Sequence, residues 1–154
     1  MRFFLFATCL LCLGLMSCGN TQDDATDSII GEWTVNEIIS QYGTFSENEY
    51  LNTSSLTEDG DLGTFNFDKD SVRFDYTRND TLYTGSSSWT LNHERVNSGF
   101  VRVDQFRLSI DNYFLFDVRF EDGTSNSEKN AETASFTEVA IDTTDILITL
   151  TLEK

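Results

Sequence analysis

The sequence predicts an all-β fold: an antiparallel up-and-down barrel of eight strands, with a β-sandwich as the alternative. Short segments in which apolar and polar residues alternate follow one another at close spacing, as in half-buried strands. Gly, Asn and Asp stand between these segments in a chain of 154 residues without proline, so they must form the turns. Hardly any segment has the apolar spacing of a helix.

The first 17 residues are predicted to be a signal peptide. Arg2 precedes an apolar run, residues 3–16, that is too short to span a membrane. Leu15-Met16-Ser17-Cys18 resembles the lipobox of bacterial lipoproteins, in which the cysteine thiol receives a diacylglyceryl group, the peptide is cut just before it, and the new amino terminus is acylated, for example with palmitate. The resemblance implies a lipid on Cys18. The alternative is an ordinary secretory signal peptide whose cleavage site lies beside Cys18 by accident.

The rest of the chain is divided into a tether and one domain. Residues 18–28 are expected to be a lipidated, flexible tether, because they are polar and lack apolar periodicity. Residues 29–154 are expected to form a single domain. The lipid implies a place in the cell envelope, at the outer membrane, on its periplasmic side or at the cell surface. Asp23-Asp24 is similar to the short acidic signal that sends some Gram-negative lipoproteins to the surface.

Cysteine use and charge exclude several classes of function. Cys9 and Cys12 leave with the signal peptide and Cys18 carries the lipid, so the domain has no thiol for a disulfide, a metal site or a nucleophile. Without Arg2, nine basic residues face 26 acidic ones, a formal charge of −17, which makes nucleic acid and anionic lipid poor partners. The scattered acidic residues indicate a solvated surface, with weak calcium binding by residues 58–61 and 68–70 as the alternative.

The domain is predicted to open with a strand that has one buried face. Residues 41–62 then lose the alternation, and Ser46 and Glu49 have the spacing of a helix capping box, so a short helix or a turn is expected there. The residues predicted to point inward from the first strand are Trp33, Val35 and Ile39.

Alternation resumes after Gly63 and continues to the end of the chain. Gly85-Ser86-Ser87-Ser88 interrupts a strand over residues 81–91 and predicts a bend of the kind that barrel corners need. The apolar positions change parity near Asp104-Gln105, which predicts a bulge or tight turn. The other predicted strands lie within residues 65–67, 72–77, 100–110, 113–120, 134–141 and 146–152, and the predicted turns within 68–70, 78–80, 97–99, 111–112, 121–123 and 142–145.

Gly31-Glu32-Trp33 resembles the Gly-x-Trp start of lipocalins and of bacterial lipocalin-like lipoproteins. The resemblance implies an eight-stranded up-and-down barrel in which Trp33 packs across the closed end and Gly31 lets the chain enter tightly. Two features depart from the family pattern. Residues 110–113 are only a faint match to its Thr-Asp-Tyr segment, and the final strands contain no arginine to stack on Trp33, for which Lys154 would be an imperfect replacement.

The predicted function is the binding of a small apolar ligand inside the barrel. An eight-stranded barrel is just wide enough to hold one small ligand, and Tyr76, Trp89 and Phe116 are the candidate contacts among many aromatic residues. The alternative is a barrel filled by its own side chains that acts as an interaction module for an envelope protein or a glycan. Tyr42, Phe45 and Tyr50 in the irregular segment are the candidate contacts in that case.

An enzyme is not expected. His93 is the only histidine and is predicted to lie in a solvated loop, residues 92–95, and no serine has the spacing of a nucleophile elbow. One histidine without a thiol is a poor basis for a zinc site. The sequence therefore predicts no catalytic residue, no metal and no cofactor.

Overall fold

A computed structural model describes residues 21–46, 49–98, 101–120, 131–138 and 146–154. The predicted signal peptide and Cys18 lie outside these residues. Within them the chain forms one helix and ten strands, which are α1 (Thr21–Ile29), β1 (Gly31–Ser46), β2 (Glu49–Asp59), β3 (Gly63–Phe67), β4 (Val72–Arg78), β5 (Thr81–Ser87), β6 (Trp89–Ser98), β7 (Val101–Ile110), β8 (Phe114–Phe120), β9 (Thr133–Glu138) and β10 (Ile146–Glu153).

The ten strands belong to one antiparallel sheet in the order β5-β4-β3-β1-β10-β9-β8-β7-β6, with β2 paired to β1 alone. From β3 to β10, strands that follow each other in the chain lie side by side, except at the β5–β6 corner. The last strand pairs back onto the first, with Thr34 opposite Glu153. This curled up-and-down sheet confirms the predicted lipocalin-like barrel rather than a sandwich of two separate sheets. The described residues hold ten strands instead of eight, because one strand lies in the segment expected to be irregular and another prediction splits at a corner.

Strand β1 changes partners along its length. Residues 31–34 pair with β3, and residues 37–46 pair with β2. The prediction of a short helix or turn near Ser46 and Glu49 is therefore wrong: ten ladder pairs outweigh a local capping signal, because the long hairpin satisfies the backbone of both strands.

A β-bulge lies where β1 exchanges β3 for β2, between Val35 and Glu37. There the carbonyls of Val35 and Asn36 accept bonds from the amides of Leu62 and Gly60. One extra residue reverses which side chains point inward. The fully buried residue after Val35 is consequently Ile38, and the prediction that Ile39 points inward is wrong.

The predicted bend at residues 85–88 is confirmed as a corner, since Ser88 alone separates β5 from β6. The turn between β7 and β8 fastens this corner. Ser88 Oγ donates to Asp111 Oδ2 at 2.5 Å, Ser87 Oγ donates to the Asp111 carbonyl at 2.9 Å, and the Asp111 amide donates to the Ser88 carbonyl at 3.1 Å. These three bonds tie the β5–β6 corner to the β7–β8 turn.

The bulge predicted near Asp104-Gln105 is absent. Strands β6 and β7 pair in one uninterrupted register from Trp89 opposite Ile110 to Ser98 opposite Val101. The change in apolar parity has another cause: the inward row of β7 ends at Phe106, and the next position in that row is a charged one, Asp104.

Three of the predicted turns are confirmed within the described residues. Asn79 and Asp80 both have positive φ, 49° and 58°, as a two-residue hairpin of type I′ requires. Asn112 also has positive φ, 64°, in the turn before β8. The Asp68 amide bonds the Ser71 carbonyl at 2.8 Å across the third turn.

The segment predicted to be a flexible tether is a helix from residue 21 onward. A helix of nine residues is marginal by itself, and α1 is stabilised by packing: Ala25 and Ile29, one turn apart, are fully buried in the barrel core, and Ser28 is nearly so. Its last carbonyls are also satisfied. Trp33 Nε1 donates to the Ile29 carbonyl at 2.7 Å, and Lys154 Nζ donates to the Ser28 carbonyl.

Trp33 packs at the junction of α1 and β1, next to the end of the helix. It is fully buried, and Lys154 Nζ lies 4.9 Å from the centroid of its ring, within cation–π range. The cation over the Trp33 ring is therefore Lys154, since the final strands contain no arginine. Gly31 has a φ of 124°, a conformation open to glycine and strained for other residues, which lets the chain turn from α1 into β1.

Candidate functional site

The three predicted ligand contacts all lie in the barrel core. Tyr76 and Phe116 are each 1% exposed and Trp89 is 7% exposed. Phe116 stacks against Phe114 at 5.3 Å and packs against Phe136 at 5.6 Å. Each of the three side chains predicted to line a cavity therefore packs against other aromatic rings.

Phe65 is the centre of this aromatic core. Its ring centroid lies between 5.3 and 6.4 Å from five other aromatic rings. These distances fall in the range of direct ring contact, so no gap of ligand size separates these six rings. The five partners are Phe67, Phe74, Tyr76, Phe116 and Phe136.

The polar group of Trp89 is already bonded inside the protein. Its Nε1 donates to the Asp68 carbonyl at 2.8 Å, and its ring meets Phe67 edge-on at 5.5 Å. Burial raises the pKa of the Tyr76 phenol above its ordinary range, because the charged form is poorly solvated in the core. The indole N–H of Trp89 is therefore already satisfied within the protein.

A charged pair crosses the barrel next to these rings. Arg78 on β4 lies 3.4 Å from Glu138 on β9, strands that are not neighbours in the sheet. The Arg78 guanidinium is 4.6 Å from the ring centroid of Tyr83 and donates to its hydroxyl at 2.8 Å. Tyr83 in turn stacks on Tyr76 at 5.2 Å. This cluster covers the aromatic core, and nothing in the sequence distinguishes Arg78 and Glu138 from other charged residues at strand ends.

A concave groove of about 540 Å³ lies across β7, β8, β9 and β10. The residues between its buried positions point outward: Arg119 lies opposite Ser135, and Thr137 opposite Thr149. Small side chains on β9 and β10 therefore form its floor on the outer face of the sheet. The lining residues are Asp104, Gln105, Phe106, Asp117, Val118, Arg119, Phe120, Ser135, Thr137 and Thr149, and none of them is a predicted ligand contact.

The outward residues of the groove offer polar groups in fixed positions. Asp117 accepts from Arg107 Nε at 3.0 Å, and the hydroxyls of Thr137 and Thr149 are 3.3 Å apart. Their backbone groups are engaged in the ladders, so a partner would be contacted through side chains. We define the groove by Gln105, Asp117, Arg119, Ser135, Thr137 and Thr149. Sequence analysis missed it, because outward polar residues of strands look alike whether the surface is flat or concave.

His93 lies on strand β6 rather than in a loop, so the prediction of a solvated loop histidine is wrong. Its ring stacks on Phe106 at 5.0 Å, and its Nε2 is 2.7 Å from Asp104 Oδ1. The same oxygen accepts from Arg95 Nε at 2.9 Å. Two hydrogen bonds lower the pKa of Asp104: the one from Arg95 has the larger effect and the one from His93 the smaller. The three side chains therefore form a hydrogen-bonded cluster beside Phe106.

Among the described residues, no group of three or more His, Cys, Asp or Glu side chains could hold a metal ion. In one of the two acidic segments considered for calcium, Glu58 instead accepts a bond from the Asn79 amide at 2.9 Å. No helix of the described residues has the length and apolar character needed to cross a bilayer.

No protein-family model, curated protein or solved structure matches this chain. The fold therefore defines its class: an antiparallel, lipocalin-like barrel with an aromatic interior, a helix packed against its core and a groove across β7 to β10.

Proposed function

We propose that the mature chain is a lipid-anchored binding module of the cell envelope that acts through its outer surface and carries no ligand inside the barrel. The observation that carries this proposal is the filled interior, in which Phe65 contacts five other rings. Small-molecule sites are concave spaces that enclose most of a ligand, and the predicted contacts Tyr76, Trp89 and Phe116 leave no such space between them.

The anchor is proposed from the residues around Cys18. Removal of residues 1–17 would leave this cysteine as the first residue, with its lipid in the outer membrane on the periplasmic side or at the cell surface. More than one acyl chain on the same residue is needed for stable anchoring, since one chain binds reversibly.

The groove of the outer face is the surface we propose for the partner. Its outward side chains carry an amide, a carboxylate, a guanidinium and three hydroxyls, and Asp104, Phe106, Val118 and Phe120 complete the lining. The outward groups suit hydrogen bonding to a polar envelope component, either a protein or a glycan. The formal charge of −17 on the mature chain disfavours nucleic acid and anionic lipid faces as the partner.

Native mass spectrometry of the protein purified from membranes in mild detergent tests both the lipid on Cys18 and the absence of a ligand inside the barrel. We expect the mass of residues 18–154 plus covalent acyl chains, with no further small molecule, because the core rings occupy the interior. A Cys18→Ala variant is the control and should keep its signal peptide and lack the acyl mass.

The two parts fail in different ways. A discrete apolar molecule that co-purifies and is displaced by an apolar competitor would overturn the filled barrel and restore the cavity binder. Acyl mass that persists in Cys18→Ala would overturn the anchor.

A further inference from the structure

Helix α1 is held against the free edge of β6 by one side chain. The Gln22 amide nitrogen donates to the Leu91 carbonyl, and its amide oxygen accepts from the His93 amide at 3.0 Å. Leu91 and His93 present these groups on the edge of β6 that has no strand partner. The Gln22 side chain therefore takes the place of a peptide group of a missing neighbouring strand.

The other end of α1 is also fixed. The Ile29 carbonyl is bonded by Trp33 and the Ser28 carbonyl by Lys154, while Ala25 is fully buried between these ends. With contacts at both ends and in the middle, α1 moves with the barrel and cannot act as a loose tether.

The distance between the proposed lipid and α1 is short by covalent geometry. Only Gly19 and Asn20 separate Cys18 from Thr21, and consecutive Cα atoms are 3.8 Å apart, so the Cα atoms of Cys18 and Thr21 lie within about 11 Å in any conformation. A lipid on Cys18 thus holds the start of α1 close to the bilayer surface.

We propose that the α1–β6 side of the barrel, defined by α1 and by residues 91–95 of β6, faces the bilayer. This inference rests on the proposed lipid at Cys18 and adds to it an orientation for the whole domain. The partner is a membrane surface, reached through the covalent anchor rather than through attraction between the surfaces.

The charges on the α1–β6 side agree with an approach through the anchor rather than through electrostatic attraction. Asp23, Asp27 and Glu94 are exposed there, and Arg95 is the exposed cation beside them. An acidic surface is not drawn to anionic headgroups, which attract clusters of Lys and Arg. The α1–β6 side should therefore approach a neutral bilayer only as far as the anchor pulls it.

Strand β2 supplies a reference point on the far side. Ser55 pairs with Gln41, which is ten residues along β1 from Gly31, or about 33 Å at the rise of a strand. Since α1 is about 13 Å long, a straight β1 with α1 running back along it would place Ser55 roughly 20 Å from Thr21.

Single cysteines can report on this orientation, because the mature chain has no cysteine besides Cys18. Glu94→Cys on the near side and Ser55→Cys on the far side form a matched pair of exposed strand positions. Each full-length lipidated variant would be labelled with a thiol-reactive fluorophore and reconstituted in phosphatidylcholine vesicles that contain a lipid with a nitroxide on its headgroup. Circular dichroism would verify that both variants keep the β-sheet spectrum.

We expect quenching to be several-fold stronger at Glu94→Cys than at Ser55→Cys. An insertion of about twelve Gly and Ser residues between Asn20 and Thr21, roughly 20 Å of flexible chain, should remove this difference. Equal quenching at the two positions in protein that floats with the vesicles would overturn the orientation and leave the anchor standing. A difference that survives the insertion would overturn it as well, and protein that does not float would overturn anchor and orientation together.

Discussion

At the scale of single residues, Gly63 is the position where the backbone has least room. Its φ is 131°, and a Cβ atom there would lie 2.1 Å from the Asp75 carbonyl oxygen, far inside contact distance. Gly60 has nearly the same φ, 126°, but no atom lies within 4 Å of its would-be Cβ. The two glycines therefore separate backbone strain from steric collision.

We expect Gly60→Ala to lower the free energy of unfolding by roughly 1–3 kcal/mol, the cost of a conformation that only glycine adopts readily. Gly63→Ala should lower it by clearly more or prevent folding, because β3 and β4 must also separate. Urea unfolding of both variants measures the difference, and equal losses would contradict the close approach of these strands.

Lys154 and His93 show how neighbours assign roles to single residues. Lys154 lies over the Trp33 ring and bonds the end of α1, a pairing between the last residue and the first strand that local pattern does not reveal. His93 belongs to a strand and shares Asp104 with Arg95. The sequence around His93 favoured a loop, because its neighbours Asn92, Glu94 and Arg95 are polar.

At the scale of elements, α1 depends on the barrel for its stability. Ala25 is fully buried against the core, whereas Asp27 is exposed on the same helix. A charge at position 25 would be buried without a partner, which is among the most destabilising single changes.

We expect Ala25→Asp to cost roughly 3 kcal/mol or more. Asp27→Ala, the matched control, should be neutral or slightly stabilising, because it removes an acidic group from the carboxyl-terminal part of the helix. Urea unfolding followed by tryptophan fluorescence reports on both variants, since Trp33 and Trp89 are both buried in the core. A loss below about 1 kcal/mol for Ala25→Asp would contradict the docked helix and favour the tether.

The elements that sequence analysis missed have a common origin. Residues 49–59 lack clean alternation, yet β1 pairs with them over ten positions. The bulge after Val35 is likewise set by the exchange of β3 for β2. The confirmed turns at 79–80 and 111–112 are different, because Asn and Asp carry their own preference for positive φ.

At the scale of the whole molecule, the barrel is stabilised by its filled aromatic interior. Phe65 is fully buried at the centre of five rings. Removing a large buried side chain forfeits both its transfer free energy and the contacts around the cavity. The domain has no thiol, so no disulfide compensates for such a loss.

We expect Phe65→Ala to lower the free energy of unfolding by about 3–5 kcal/mol. Leu82→Ala, at a side chain that is 59% exposed, should change it by no more than about 0.5 kcal/mol. Thermal and urea unfolding would measure both. A small effect of Phe65→Ala would indicate that the interior is loosely packed and would reopen the case for an internal ligand.

The sequence by itself determined the all-β class, the antiparallel turns and the bend at residues 85–88, and it carries the prediction of a lipid on Cys18. These follow from alternation, turn chemistry and a short motif, all of which are local. Only the tertiary structure decided that α1 is a docked helix, that aromatic side chains of the described residues pack together inside the barrel and that a groove crosses β7 to β10. Burial, strand exchange and concavity depend on which distant segments meet, and a residue's own neighbours in the chain do not specify that.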